Sequence, residues 1–242
     1  MLPLLGIKPY SFDINEAMKT GAYVSGTTGC GKSDLAMRWA DDMRQHNISV
    51  MVWDPSQDWI QRYPINYKLR FPANPELNST FRDLYKVQLK SAIFDTSRLT
   101  YLQYQILADK FCWLLFQHQA NLLPEQRRPF FIIFEEAHIV LPQGSLKANR
   151  LQNVVRLLTV GRNFKIRMGV VTQFASMVDK NAMRFMKQRY FGWTDEMNDR
   201  KYISKFIGDE NAEELKTFEA GQFWYYKPAD NILDRMQIQP YD

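Results

Sequence analysis

The sequence predicts an α/β fold, a mostly parallel sheet with helices on both faces. Three observations predict it. A glycine-rich octapeptide, Gly26-Thr27-Thr28-Gly29-Cys30-Gly31-Lys32-Ser33, stands between a short apolar run and an amphipathic helical run. Downstream, short apolar runs of buried-strand type alternate with segments of helical period, the pattern of βαβ units. These runs end on polar residues, Asp54, Asp95, Glu135-Glu136 and Gln173, and ligands of such sheets bind at the carboxyl ends of the strands.

In chain order, residues 1–21 hold prolines and Gly6, which argue against long regular structure. They are expected to form an N-terminal segment lying over the site of the glycine-rich loop or against a neighbouring subunit. Residues 22–242 are expected to form one further domain, since a chain of this length buries a full core. Ala22–Ser25 reads as a buried strand, and residues 34–45 as a helix with Leu35, Trp39 and Met43 on one face. Residues 48–53 read as a strand ending at Asp54-Pro55. Residues 55–82, with Pro64, Pro72 and Pro75, read as a surface loop with short pieces. Residues 91–94 read as a strand, and residues 101–119 as a helix whose stripe (Leu102, Ile106, Leu107, Phe111, Leu114, Leu115) suits a core face. Phe130–Phe134 is continuously apolar, as a fully buried parallel strand should be. A basic helix over 147–161, a strand over 168–172, a helix over 181–188 and a strand over 190–193 follow. Helices over 198–207 and 211–218 then lead to a last strand over 222–226.

The octapeptide fits G-x-x-x-x-G-K-[ST], the P-loop pattern, without a mismatch. Phosphate oxygens need backbone N–H groups pointing inward, and a chain wraps that tightly only where glycine removes the Cβ penalty. Gly26, Thr27, Thr28, Gly29, Cys30, Gly31, Lys32 and Ser33 are therefore the expected nucleotide cradle. Lys32 is expected to reach the β- and γ-phosphates, and Ser33 to give its hydroxyl to Mg²⁺. The helix that follows turns its positive end to the same anion. Hydrolysis needs a carboxylate near the metal and a group that activates water. Glu135 is assigned to the metal and Glu136 to the water, although two glutamates at a helix start would also be welcome as surface charge. Gln173 is expected to hold the attacking water or sense the γ-phosphate, or to be an ordinary polar strand end.

Composition removes several classes. No apolar run approaches the roughly 18 residues of a membrane helix. The start lacks a basic region and a cleavage site, so an intracellular chain is expected. Two cysteines make no disulfide framework, and His46, His118 and His138 have no ligand spacing for zinc. The net charge of +5 says little, but residues 145–205 hold thirteen Lys or Arg against four Asp or Glu. That asymmetry suggests an anionic partner, nucleic acid first, or else a solvated basic surface.

The order of P-loop, Phe130–Phe134 with Glu135-Glu136-Ala137-His138, Gly161-Arg162-Asn163 and Val170-Val171-Thr172-Gln173 resembles the FtsK–HerA superfamily of ring-forming, DNA-pumping ATPases. Asp54-Pro55 and Ala220-Gly221-Gln222-Phe223 resemble it too, so the likeness spans residues 20–228. Glu135 stands where the family usually has Asp, which blurs the division of roles between Glu135 and Glu136. The resemblance implies a RecA-like P-loop NTPase using ATP and Mg²⁺, assembled as a homo-oligomeric ring, expected to be a hexamer. It implies Arg162 as the arginine supplied to a neighbour's γ-phosphate, with Arg156 and Arg150 as alternatives; Arg162 would equally suit a helix C-terminus.

Bare motors of this size resemble the genome-packaging ATPases of tailless icosahedral viruses with an internal membrane. The resemblance therefore implies sequence-independent double-stranded DNA, a capsid or portal-vertex protein as partner, and action in host cytoplasm at the assembling virion. DNA contact is expected among Lys147, Lys180, Arg184, Lys187 and Arg189. A helicase-like, plasmid or conjugative DNA-transfer ATPase of the same superfamily, a small-molecule P-loop kinase and a non-enzymatic nucleotide switch stay open beside it.

Overall fold

The computed structural model describes residues 7–65, 67–73, 91–145 and 151–241. The strands are β1 (Ile7–Pro9), β2 (Ala22–Ser25), β3 (Ser49–Asp54), β4 (Lys68–Arg70), β5 (Ala92–Asp95), β6 (Phe130–Phe134), β7 (Ile166–Thr172), β8 (Gln188–Gly192), β9 (Gln222–Lys227) and β10 (Ile232–Gln237). The α-helices among the described residues are α1 (Ile14–Thr20), α2 (Lys32–Gln45), α3 (Asp58–Arg62), α4 (Tyr101–Ala120), α5 (Gln152–Val160), α6 (Lys180–Phe185), α7 (Met197–Ile207) and α8 (Asp209–Glu214).

The ten strands among the described residues join one sheet in the order β1-β10-β9-β8-β2-β7-β6-β3-β5-β4. From β8 to β4 every pairing is parallel; β9 runs antiparallel to β8 and β10, and β1 returns parallel to β10. The pleat sends alternate residues to opposite faces, so a strand buried on both sides must be apolar throughout. In β6, Phe131 and Ile133 enter the core shared with Leu35, Trp39 and Met43 of α2, while Phe130, Ile132 and Phe134 enter the core shared with Phe111 and Leu115 of α4. Helices thus cover both faces, as the sequence predicts. The second core is built around Trp53, whose ring lies 5.1–6.2 Å from those of Phe71, Phe94, Tyr104, Phe111 and Phe134.

Several expectations change. The described part of the N-terminal segment, residues 7–21, does not lie over the P-loop: α1 runs into β2 at the opposite end of the strands, and β1 is an edge of the same sheet; residues 1–6 lie outside the described residues. It is held by Asp13, whose backbone N–H donates to Gln188 Oε1 (2.9 Å) and whose carboxylate takes Lys227 Nζ (2.7 Å), and by Phe12 stacked on Trp39 (5.6 Å). Residues 222–226 are not the last strand, since β10 follows them. The helix expected over 181–188 stops at Phe185, because Gln188 already pairs with Ala22 as the first residue of β8. Within the described residues the basic helix begins at Gln152, and Lys147 and Arg150 lie outside them.

Candidate active site

The P-loop joins β2 to α2 and takes the backbone angles its glycines permit. Gly31 caps α2 at φ +94°, a left-handed conformation that L side chains rarely adopt. Gly26, at φ +154°, leaves room for the buried Cys30, whose Sγ would stand 2.6 Å from an added Cβ. Two backbone contacts hold the loop from outside. Thr27 N–H donates to the Trp193 carbonyl after β8 (2.7 Å), and Gly221 N–H, before β9, donates to the Cys30 carbonyl (2.9 Å). Lys32 Nζ donates back to the Thr27 carbonyl at 3.0 Å, which bends the side chain over the loop where phosphate would sit.

Because β6 lies between β3 and β7, its carboxyl end sets Glu135 and Glu136 beside both neighbours. Glu135 continues the sheet, its N–H donating to the Trp53 carbonyl at 3.1 Å. Its side chain is only 5% exposed, and Oε1 accepts the indole N–H of Trp59 at 2.7 Å. Burial pushes its pKa up to about 7, against the Trp59 hydrogen bond and the Lys32 charge. Glu136 then turns the chain at φ +49° and is half-buried. Its Oε1 accepts from Gln173 Nε2 at 2.6 Å, and Oε2 lies 3.3 Å from His138 Nδ1. Burial lowers the His138 pKa more than the Glu136 charge raises it.

These groups line one cleft of about 300 Å³, with Thr28, Gly29, Gly31, Lys32 and Ser33 on one wall and Glu135, Glu136 and Gln173 on another. The geometry can seat a polyphosphate with a carboxylate at the water side. The donor set also fits Mg²⁺, which takes hard oxygens, usually one or two protein groups plus phosphates and waters. Ser33 and Glu135 offer that set, and among the described residues no group of three or more His, Cys, Asp or Glu competes for a metal.

The third wall was not foreseen. Residues 55–82 read as surface loop, yet Ser56, Asp58 and Arg62 line the cleft. Asp54 is fully buried and organises this wall, its carboxylate accepting from Ser56 N–H (3.1 Å), Ser56 Oγ (2.9 Å) and Ile60 N–H (3.1 Å). That fixes α3 so that Trp59 faces Glu135. Arg62 ties Asp58 (3.2 Å) and Asp34 of α2 to the C-terminal Tyr241 carbonyl (2.9 Å). The available signal was the i, i+4 pairing of Trp59 with Tyr63 and of Asp58 with Arg62.

The remaining sequence-predicted residues lie elsewhere. Arg162 is exposed in the turn Gly161–Phe164 that precedes β7, at the opposite end of the strands from this chain's own P-loop. Lys180 and Arg184 are exposed on α6 and Lys187 is half-buried. Arg189 is a correction. It is 4% exposed, caps the Met186 and Met183 carbonyls (both 2.8 Å) and stacks on Phe206, so it cannot meet a DNA phosphate. Arg167 likewise turns inward to the Leu158 carbonyl (2.9 Å); Asp179 and Asp199 of the same stretch are buried as well, so the basic excess over 145–205 is carried by fewer exposed groups but is not reduced.

The fold is shared with solved structures. The fold is that of a P-loop NTPase. The genome packaging NTPase B204 from Sulfolobus turreted icosahedral virus 2, in complex with ATP-gammaS, matches with TM-score 0.66 and 15% identity, over 91% of this chain and 97% of that one. B204, the DNA-packaging ATPase from Sulfolobus turreted icosahedral virus, matches with TM-score 0.64 and 17% identity, again over 91% and 97%. The bacterial conjugative coupling protein TrwBdeltaN70 matches with TM-score 0.67 and 9% identity, over 99% of this chain and 89% of that one. No protein-family model and no curated protein matches the sequence. Among the described residues, no helix of this P-loop NTPase fold is long and apolar enough to cross a membrane.

Proposed function

We propose that the chain is an ATP-hydrolysing double-stranded DNA translocase that drives a viral genome into a preformed capsid. The observation that carries the hydrolytic part is the Gln173–Glu136 hydrogen bond of 2.6 Å, which holds a half-buried carboxylate across the cleft from the P-loop. Lys32 leaves the Thr27 carbonyl for the phosphates when nucleotide enters. Ser33 and Glu135 would hold Mg²⁺, which when bound would neutralise phosphate charge. Glu136 accepts the proton of the attacking water, and the Gln173 amide, already on its Oε1, orients carboxylate and water together.

The DNA-pumping part is supported by the likeness of fold to a genome packaging NTPase over nearly the whole of both chains. Arg162, exposed and remote from its own site, suits the role of a finger inserted into a neighbour's site, which calls for a homo-oligomeric ring, a hexamer in this reading. The partners are then duplex DNA bound without regard to sequence and a capsid or portal-vertex protein, in host cytoplasm at the assembling virion. The likeness to a conjugative coupling protein favours a second reading, plasmid or conjugative DNA transfer by the same motor.

The test is steady-state ATP hydrolysis with and without long duplex DNA, for the native chain and Glu136→Gln. The reading expects Mg²⁺-dependent turnover raised by DNA of any sequence and lowered at least about 100-fold by the substitution. Turnover indifferent to DNA, or surviving the loss of Glu136, returns the chain to a small-molecule kinase.

A further inference from the structure

The carboxyl edge of the sheet carries a second cleft, of about 350 Å³, away from the nucleotide site. It opens between the turn after β7 and helix α7, and its lining includes Lys180, Lys201, Lys205, Gln143, Ser176 and Asn198. The three lysines are exposed, and among the described residues none of them makes an ion pair. The carboxylates nearby are already engaged. Asp199 is buried and accepts the Ser176 N–H at 2.7 Å, and Asp179 accepts the N–H groups of Asn181 (2.8 Å) and Ala182 (3.4 Å) at the start of α6. Three positive charges therefore converge on one concavity with hydroxyl and amide groups between them.

The structure assigns this cleft, we infer, to the phosphodiester backbone of duplex DNA; the inference rests on the DNA-motor reading above. Lysines bind phosphate as point charges and carry no base code, as sequence-independent contact requires. An unpaired strand would want an exposed ring on which to stack its bases. Here Tyr202, the aromatic residue lining the cleft, is buried and only shadows Lys180 and Lys205 at 6.0 and 5.8 Å. Only Lys180 was foreseen from sequence; Lys201 and Lys205 come into the same site because α7 packs on the turn after β7.

That turn also gives the contact a route to the chemistry. Its residues run from Gln173, which holds Glu136, to Ser176, three positions on. Ser176 is gripped from both sides: Asp199 of α7 takes its N–H, and Gln143 Nε2 donates to its carbonyl at 2.6 Å. A phosphate drawn to Lys201 and Lys205 loads α7, and one segment that α7 holds is the turn that follows the residue positioning the water-activating carboxylate.

The experiment compares the native chain with Lys201→Gln/Lys205→Gln and with Lys8→Gln/Lys19→Gln, which removes equal charge elsewhere on the surface. A long linear duplex is titrated over a series of salt concentrations, and ATP turnover is measured with and without it. The expected result is loss of DNA stimulation in the first variant alone. The slope of log affinity against log salt should become shallower there by about 2, roughly one counterion for each lysine. DNA-free turnover should stay within about twofold, because neither lysine lines the nucleotide cleft. Native-like stimulation in Lys201→Gln/Lys205→Gln, or equal losses in both variants, overturns the cleft and leaves the motor reading in place. A native chain that neither binds nor responds to duplex DNA overturns the motor reading itself, and the cleft with it.

Discussion

Glu135 and Glu136 are adjacent in sequence but sit in different media. One side chain is sealed under Trp59, and the other shares its oxygens with Gln173 and His138. The Glu135 carboxyl, pushed from an ordinary value of 4.5 up to about 7 by burial, binds its proton more tightly folded than unfolded. Stability in the absence of divalent metal therefore falls as pH rises from about 4.5 to about 7, and the full penalty remains above that. Glu135→Gln keeps the acceptor for Trp59 and removes the charge. In chelator it should raise the melting temperature at pH 8 and leave it nearly unchanged at pH 4.5; an equal shift at both would mean that packing, not ionisation, is altered. Trp59→Phe should cost about 1–3 kcal/mol in urea unfolding, because a buried acceptor loses its donor. The positions of the glutamates and Gln173 were legible in the sequence, since they follow short runs rich in apolar residues that read as buried strands. Trp59 was not, because its partner is 76 positions away and only the pairing of β3 with β6 brings them together.

The elements that sequence located best are those whose own residues suffice to define them. β6 is bounded by Pro129 and Glu135 and filled by five bulky apolar side chains, and its predicted limits match those observed. α4 carries both its helical period and a capping box, Thr100 with Gln103. Elements defined by partners were missed. β1 is three residues long and exists through β10. β10 (ILDRMQ) mixes charge with apolar residues, as a strand near the sheet edge does. Asp13 shows how the N-terminal segment is tied in. Its hydrogen bond with Lys227, reinforced by the Glu16 N–H, holds its pKa below the ordinary value against the cost of burial. That contribution is present above about pH 4 and lost as pH falls through the lowered folded value. Asp13→Asn, which keeps the helix cap, should lower stability at pH 7 by on the order of 0.5 kcal/mol, given the partial exposure of the pair. The difference should close toward pH 3 in urea titrations; a difference independent of pH would locate the effect in the cap instead.

At the scale of the molecule, one edge of the sheet carries the P-loop, the two glutamates, Gln173 and the lysine cleft, while Arg162 projects from the other end. The parallel alternation foretold this polarity, since each strand must deliver its carboxyl end to the same side. What it could not foretell was which charges stay outside. Arg167 and Arg189 are drawn in to cap carbonyls, and only packing decides that. A ring in which Arg162 serves the next subunit makes a specific prediction. Arg162→Ala and Glu136→Gln chains should each be inactive alone, and mixing them should restore part of the turnover, because some sites then pair an intact glutamate with an intact neighbouring arginine. Mixtures as inactive as the parents would remove Arg162 from that role. The most direct measurement of the central claim is displacement of a short third strand from the end of a long duplex. Movement along DNA driven by ATP predicts displacement by the native chain with ATP, and none by Glu136→Gln or with a non-hydrolysable analogue. ATP turnover that continues while the third strand stays bound would contradict it.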